Sequence, residues 1–224
     1  MKFALIDIFN DVLVGVVLFG AAGTLNWPRA WVLLSVMLVI RMLGTWSTLR
    51  VNPALLEDRA RLPVRRGQPL SDRVLLPAFM LSYALVVAFD GFDVTRFRIL
   101  GSPNPVVAGA GLALVVFGWG LVMVTMRTNA YATTVVRYQE DRGHEVVSTG
   151  VYGVVRHPMY AGLIAGIAGM GLWLGTNAGA LATVVPASVL VARIVVEEGV
   201  LRAKLAGYDG YAGRVRYRLV PGLW

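Results

Sequence analysis

The chain reads as an all-α, polytopic transmembrane helical bundle, and three observations predict it. Hydrophobic residues make up 57% of the 224 positions and charged residues 15%, against about 45 to 50% and 25% in soluble domains. Apolar runs at or near the ~18 to 20 residues that cross a bilayer recur along the sequence. Short connections bearing Gly, Pro and Arg separate them.

Taken in order, the runs predict about six helices, with five as the alternative count: 4 to 25, 29 to 49, 74 to 91, 104 to 127, 158 to 176 and 178 to 196. The first carries Asp7, Asn10 and Asp11 near its start, too polar and too long for a signal core, so it is read as a retained span. These three polar residues share roughly one helix face, where they either line a cavity or lie at headgroup level. Pro28, Pro105 and Pro158 suit the first turn of a helix, where a missing N–H costs nothing. The last two runs should form a tight hairpin around Thr176, Asn177 and Ala178. Gly109, Gly111, Gly118 and Gly120 on the fourth helix, and Gly162, Gly166, Gly169, Gly171 and Gly175 on the fifth, with GxxxG spacings at 162/166 and 171/175, are candidates for close helix packing, the alternative being a cofactor pressed against the fifth helix. In the connection from 127 to 157, the segments TTVVRYQ and HEVVSTG flank the turn EDRG and predict a short cytoplasmic β-hairpin. An amphipathic tail should close the chain.

The net charge of +8 is explained by its placement. Arg50, Arg59, Arg61, Arg65, Arg66 and Arg73 crowd one connection, and Arg127, Arg137, Arg142 and Arg156 another. With Lys2 and the basic tail they fall on one side of a six-span arrangement, which puts both termini in the cytoplasm of a bacterial-type inner or plasma membrane. Attraction to anionic headgroups accounts for the rest of the charge, and nucleic acid is not expected as a partner. Cysteine is absent and there are two histidines, His144 and His157, so no metal site is expected.

Two polar clusters remain. The stretch GVYGVVRHPMYAG, 150 to 162, sets Arg156, His157 and Tyr160 against a helix start, where free N–H groups favour an anionic ligand group. The alternative is interfacial anchoring by Arg156 with Tyr160 in the aromatic belt. Near the end of the last span, Arg193 and Glu197, and likewise Glu198 and Arg202, are spaced for i,i+4 ion pairs. Paired carboxylates at a membrane boundary are otherwise expensive, which makes Glu197 and Glu198 candidates for a site. No GxGxxG turn follows a strand, so a Rossmann domain is not supported.

Asn129, DRGH at 141 to 144, RHPMY at 156 to 160, the Glu197–Glu198 pair and the closing GYDGYAGRVRYRLVPGLW together resemble the isoprenylcysteine carboxyl methyltransferase-like family of integral membrane methyltransferases. The resemblance covers roughly the last 90 residues. One departure is Val151, where the family commonly has proline before the tyrosine. The resemblance implies S-adenosylmethionine as cofactor, with Tyr152, His157, Pro158, Tyr160 and Glu198 around it and Arg193 and Glu197 near the methyl acceptor. Tyr208, Tyr211, Arg218 and Pro221 would belong to the closing segment.

One membrane domain is expected over 1 to 224, with 1 to 103 supplying spans and a substrate tunnel and 104 to 224 the catalytic, cofactor-binding part. The expected function is methyl transfer to a lipophilic small molecule or lipid, a carboxylate being one acceptor class. Alternatives are an NADPH-dependent membrane reductase of the steroid-reductase type and a non-catalytic lipid-binding protein.

Overall fold

The computed structural model describes residues 1 to 61 and 67 to 224. Arg65 and Arg66, counted above among the basic connection, lie outside the described residues. Nine α-helices occur among the described residues: α1 Lys2–Ala22, α2 Pro28–Val51, α3 Pro53–Arg59, α4 Leu70–Phe92, α5 Pro105–Thr128, α6 Pro158–Leu174, α7 Asn177–Ala182, α8 Val184–Lys204 and α9 Tyr208–Arg214. Among the described residues five stretches are long and apolar enough to cross a membrane, α7 and α8 counting together, and α6 is a shorter apolar helix of 17 residues. The chain is an integral membrane protein.

Proline opens α2, α5 and α6 at the first turn, as the sequence predicts. Glycine in the left-handed region closes α1 at Gly23 and α6 at Gly175, with φ of 70° and 104°. Leu5, Phe9 and Val16 of α1, Leu43 and Trp46 of α2, Leu81 and Leu85 of α4 and Phe117 of α5 point outward, the arrangement expected when lipid is the solvent. Inside, Leu18, Leu33, Met37, Val87, Val115, Met170 and Leu174 form the main core.

Helices α5 and α6 lie backbone to backbone. A methyl group placed on Gly111 would stand 2.7 Å from Trp173 N and 2.8 Å from Gly169 O, and one on Gly118 would strike Gly162 O and Gly166 N. Gly171 makes the same kind of approach to α7, at Gly179 and Ala180. Gly109 and Gly120, grouped with them in the sequence, face open space. Helix contact without side chains between is how membrane helices gain packing energy when hydrophobicity cannot drive them together.

Three expectations need correction. No strand occurs among the described residues of the 127 to 157 connection, so the β-hairpin is absent. The groups a ladder would use are claimed by helix side chains: Val136 N donates to Asp72 Oδ2 at 3.0 Å, and Thr134 O accepts from Arg193. A 3₁₀ turn at Glu140–Arg142 and the Gln139 amide, which donates to Tyr131 O at 2.8 Å, shape the rest. Second, the hairpin after α6 holds the short helix α7, and α8 runs on to Lys204, since nothing in IVVEEGVLRAK breaks a helix. Third, neither i,i+4 pair forms along α8. Arg193 pairs with Asp72, Glu198 with Arg156 and Arg218, and Arg202 with Asp209.

The polar face of α1 divides. Asn10 bonds its own helix at Ile6 O and is exposed, while Asp11 is buried and lines a groove between α1 and α2. Arg41, inside a span, lies over the Trp119 ring at 4.4 Å from its centre.

Candidate active site

The elements meet around a cavity of about 270 Å³. Arg59 enters from α3, Phe79 from α4, Trp119 from α5, Asn129, Tyr131, His144 and Tyr152 from the long connection, Tyr160 from α6, Arg193 and Glu197 from α8, and Tyr208 and Tyr211 from α9. A second cavity of about 120 Å³, lined by Met37, Tyr83, Gly166, Ile167 and Met170, shares Phe79, Trp119 and Leu163 with the first. The polar chamber thus adjoins an apolar one inside the helix bundle.

The wall toward the chain end is built on Glu198. Its carboxylate, with the side chain only 5% exposed, accepts Arg156 Nε at 2.7 Å and Arg218 Nη2 at 3.1 Å, and meets His157 Nε2 at 3.2 Å. Arg156 also donates through Nη1 to Val215 O at 2.7 Å and Arg216 O at 2.8 Å. Two main-chain bonds, Arg156 N to Tyr217 O and His157 N to Arg218 O, tie the same segment to the tail. Buried charges are tolerable when paired and hydrogen-bonded, and this network satisfies that condition.

The wall toward the N-terminal helices is built on Asp72, fully buried in the first turn of α4. It accepts Arg193 Nε at 2.7 Å, Gln68 Nε2 at 2.8 Å and Val136 N at 3.0 Å. Arg193 is therefore held by a carboxylate from another helix and by Thr134 O. One turn along α8, Glu197 faces the cavity and accepts the Tyr160 hydroxyl at 2.7 Å. The Tyr160 ring stacks on His157 at 5.7 Å, interplanar angle 10°.

The floor is aromatic. Tyr152 OH accepts Asn129 Nδ2 at 2.9 Å, and Tyr211 OH donates to Tyr152 O at 2.8 Å. Burial raises the Tyr152 and Tyr208 phenols above their usual range and pushes Tyr211 up to about 12. All three are neutral hydroxyls at ordinary pH. His144, stacked between Tyr131 at 4.3 Å and Tyr138 at 5.7 Å, is lowered to about 4 by burial, then by Arg142 and Arg137. It is a neutral imidazole in the same pH range.

Of the residues singled out in the sequence, Tyr152, His157, Tyr160, Arg193 and Glu197 line the cavity. Pro158 starts α6 beside it without lining it, and Glu198 stands behind the wall, where it fixes Arg156, His157 and Arg218. The segment from the start of α5 to the end of α8 carries most of this constellation, and the phospholipid methyltransferase family model matches residues 106–206. Residues 106–206 are thus similar to the phospholipid methyltransferase family of membrane methyltransferases. Comparison with curated proteins gave no match. Within the family segment lie Tyr152, His157, Tyr160, Arg193, Glu197 and Glu198.

Phospholipid methyltransferases generally use S-adenosylmethionine, and the donors present fit it: a carboxylate and tyrosine faces for a sulfonium, guanidinium and imidazole groups for a carboxylate. Sequence reasoning missed Asp72 and gave Arg59 only a topological role. Both lie outside the family segment. An acid one residue before Arg73 in an apolar helix was the available signal for Asp72.

Proposed function

We propose that the protein is an S-adenosylmethionine-dependent methyltransferase whose acceptor is a lipophilic molecule entering from the bilayer. The observation that carries this reading is the pair of adjoining cavities, which share Phe79, Trp119 and Leu163 as lining. Glu197, Tyr152 and Tyr160 face the polar one, and the apolar one opens behind Phe79, Trp119 and Leu163. The cofactor, when bound, supplies an electrophilic methyl group on a sulfonium.

Methyl transfer is an in-line displacement, so the protein's task is to align the reactants and keep water out. Glu197 and the tyrosine faces stabilise positive charge at the polar end. Tyr160, donating to Glu197, fixes the direction of that carboxylate. Where the acceptor sheds a proton, Glu197 is the group placed to take it; a carboxylate acceptor needs no base. His157 meets Glu198 through Nε2, a contact that sets the orientation of the ring at the start of α6. In this reading residues 104 to 224 grip the donor, and α3 and α4 help enclose the acceptor. With the 17-residue α6 counted as a sixth span, the basic connections and both termini lie on the cytoplasmic side in this reading.

Thermal shift of the purified protein with S-adenosylhomocysteine and, separately, with NADPH tests the reading. Stabilisation is expected with S-adenosylhomocysteine and should be lost on Glu197→Gln combined with Tyr160→Phe. Stabilisation by NADPH alone would assign the cavity to a reductase. No response to either, with a lipid retained in native mass spectrometry, would identify a non-catalytic lipid carrier.

A further inference from the structure

Arg59 comes from the seven-residue helix α3, outside the segment that matches the family. Its Nη1 donates to Ala132 O at 2.7 Å and lies 3.9 Å from Met159 Sδ, both uncharged partners. Among the described residues Arg59 forms no ion pair. Its neighbour Asp58 is turned to Arg137 at 3.6 Å. Of the other guanidiniums on the cavity, Arg137 is paired with Asp58 and Asp141, Arg156 with Glu198, and Arg193 spends Nε on Asp72 and Nη2 on Thr134 O. A guanidinium carries five N–H donors in a planar fork suited to carboxylate or phosphate, and Arg59 has committed one nitrogen to a carbonyl. Burial, followed by the charge of Arg193, lowers the Arg59 pKa, which is the electrostatic signature of a cation short of negative charge.

We propose that Arg59, and not Arg193, receives the anionic oxygens of the ligand bound in this cavity, a carboxylate or a phosphate. Arg193 is then a positioning residue, held by Asp72 and shaping the wall beside Glu197. The assignment rests on the cavity being the ligand site proposed above. Two sources offer the chemistry: the amino-acid end of the cofactor, and an acidic headgroup on the acceptor. The short helix Pro53–Arg59, begun by a proline shortly after α2, brings the residue to the cavity wall from the N-terminal half.

Binding of matched probes to the full-length protein in detergent tests the assignment. S-adenosylhomocysteine is compared with methylthioadenosine, which lacks the amino-acid end, and dodecyl phosphate with dodecanol, which lacks the anion. Arg59→Gln should weaken one anionic probe roughly tenfold or more while its uncharged partner changes by less than about twofold. Arg59→Lys, which keeps the charge but not the fork, should fall between. Weakening of S-adenosylhomocysteine assigns Arg59 to the cofactor carboxylate, and weakening of dodecyl phosphate assigns it to the acceptor. If Arg59→Gln remains folded by circular dichroism and neither contrast moves, the assignment is overturned. Failure of the wild type to bind S-adenosylhomocysteine would refute the methyl-donor reading, and the dodecyl phosphate pair then decides Arg59 by itself. Binding of neither anionic probe by the wild type overturns both.

Discussion

Replacing Glu198 should damage the architecture before it damages chemistry. In Glu198→Ala, Arg156 keeps its bonds to the carbonyls of Val215 and Arg216 but loses the counter-charge of Glu198 in a side-chain environment 4% exposed. Breaking a buried pair in this way costs about 3 to 5 kcal/mol. Arg218, whose side chain is 30% exposed, can recruit water, so its share is below about 1 kcal/mol. Glu198→Gln retains an acceptor oxygen and should cost less, about 1.5 to 3 kcal/mol for charged hydrogen bonds made weaker. The released tail frees the main chain around Arg214, Arg216 and Arg218 from its bonds to Arg156 and His157, so limited trypsin digestion should cut there faster in both variants. Thermal unfolding in detergent should fall in the order wild type, Gln, Ala, with a drop on the order of 10 °C for Ala. Tail cleavage at the wild-type rate, with melting unchanged within ~2 °C in both variants, would refute the hub reading and return Glu198 to direct ligand contact.

Two further outcomes follow from packing and titration. Gly118→Ala forces a methyl into the backbone of α6 and should destabilise by about 1 to 3 kcal/mol, whereas Gly120→Ala meets open space and should be neutral or gain up to about 1 kcal/mol in helix propensity; paired thermal melts decide. For His144 the folded pKa, about 4, lies below the unfolded value of about 6.5, so the unfolded chain binds the extra proton between them. Stability is then full above pH ~6.5 and lost as pH falls toward 4, and His144→Phe should flatten that window in pH-dependent melting.

The spans were legible because lipid imposes one rule on every helix, and apolar length reports it. Proline at 28, 105 and 158 marked helix starts for a local reason, its own missing N–H, which needs no tertiary information. The cluster of His157, Tyr160 and Glu197 was legible as motif and resemblance, since its residues sit on two helices that the family segment contains. The long connection was not. Its β-branched residues favour strands locally, but Asp72 and Arg193 take the backbone groups that pairing would need. The spacing of Arg193 and Glu197 was equally uninformative, because i,i+4 geometry permits an ion pair worth about 0.3 to 0.5 kcal/mol that a buried aspartate from α4 outcompetes. Arg59 was hidden among arginines that look alike in a loop. Only its position against Ala132 and Met159 separates it from them.

Asp72 sets a condition on any attempt to graft the family-matching segment onto other spans. The carboxylate that steadies Arg193 and the main chain at Val136 is encoded in the N-terminal half, far from the residues that would be transplanted. A chimera joined after α4 carries that anchor only if the donor of the first four helices has an acid in the same first turn, with an amide at the place of Gln68. Without it the recipient would contain every motif residue and still lack a fixed wall, so recombination among relatives should succeed or fail on a residue that motif matching ignores.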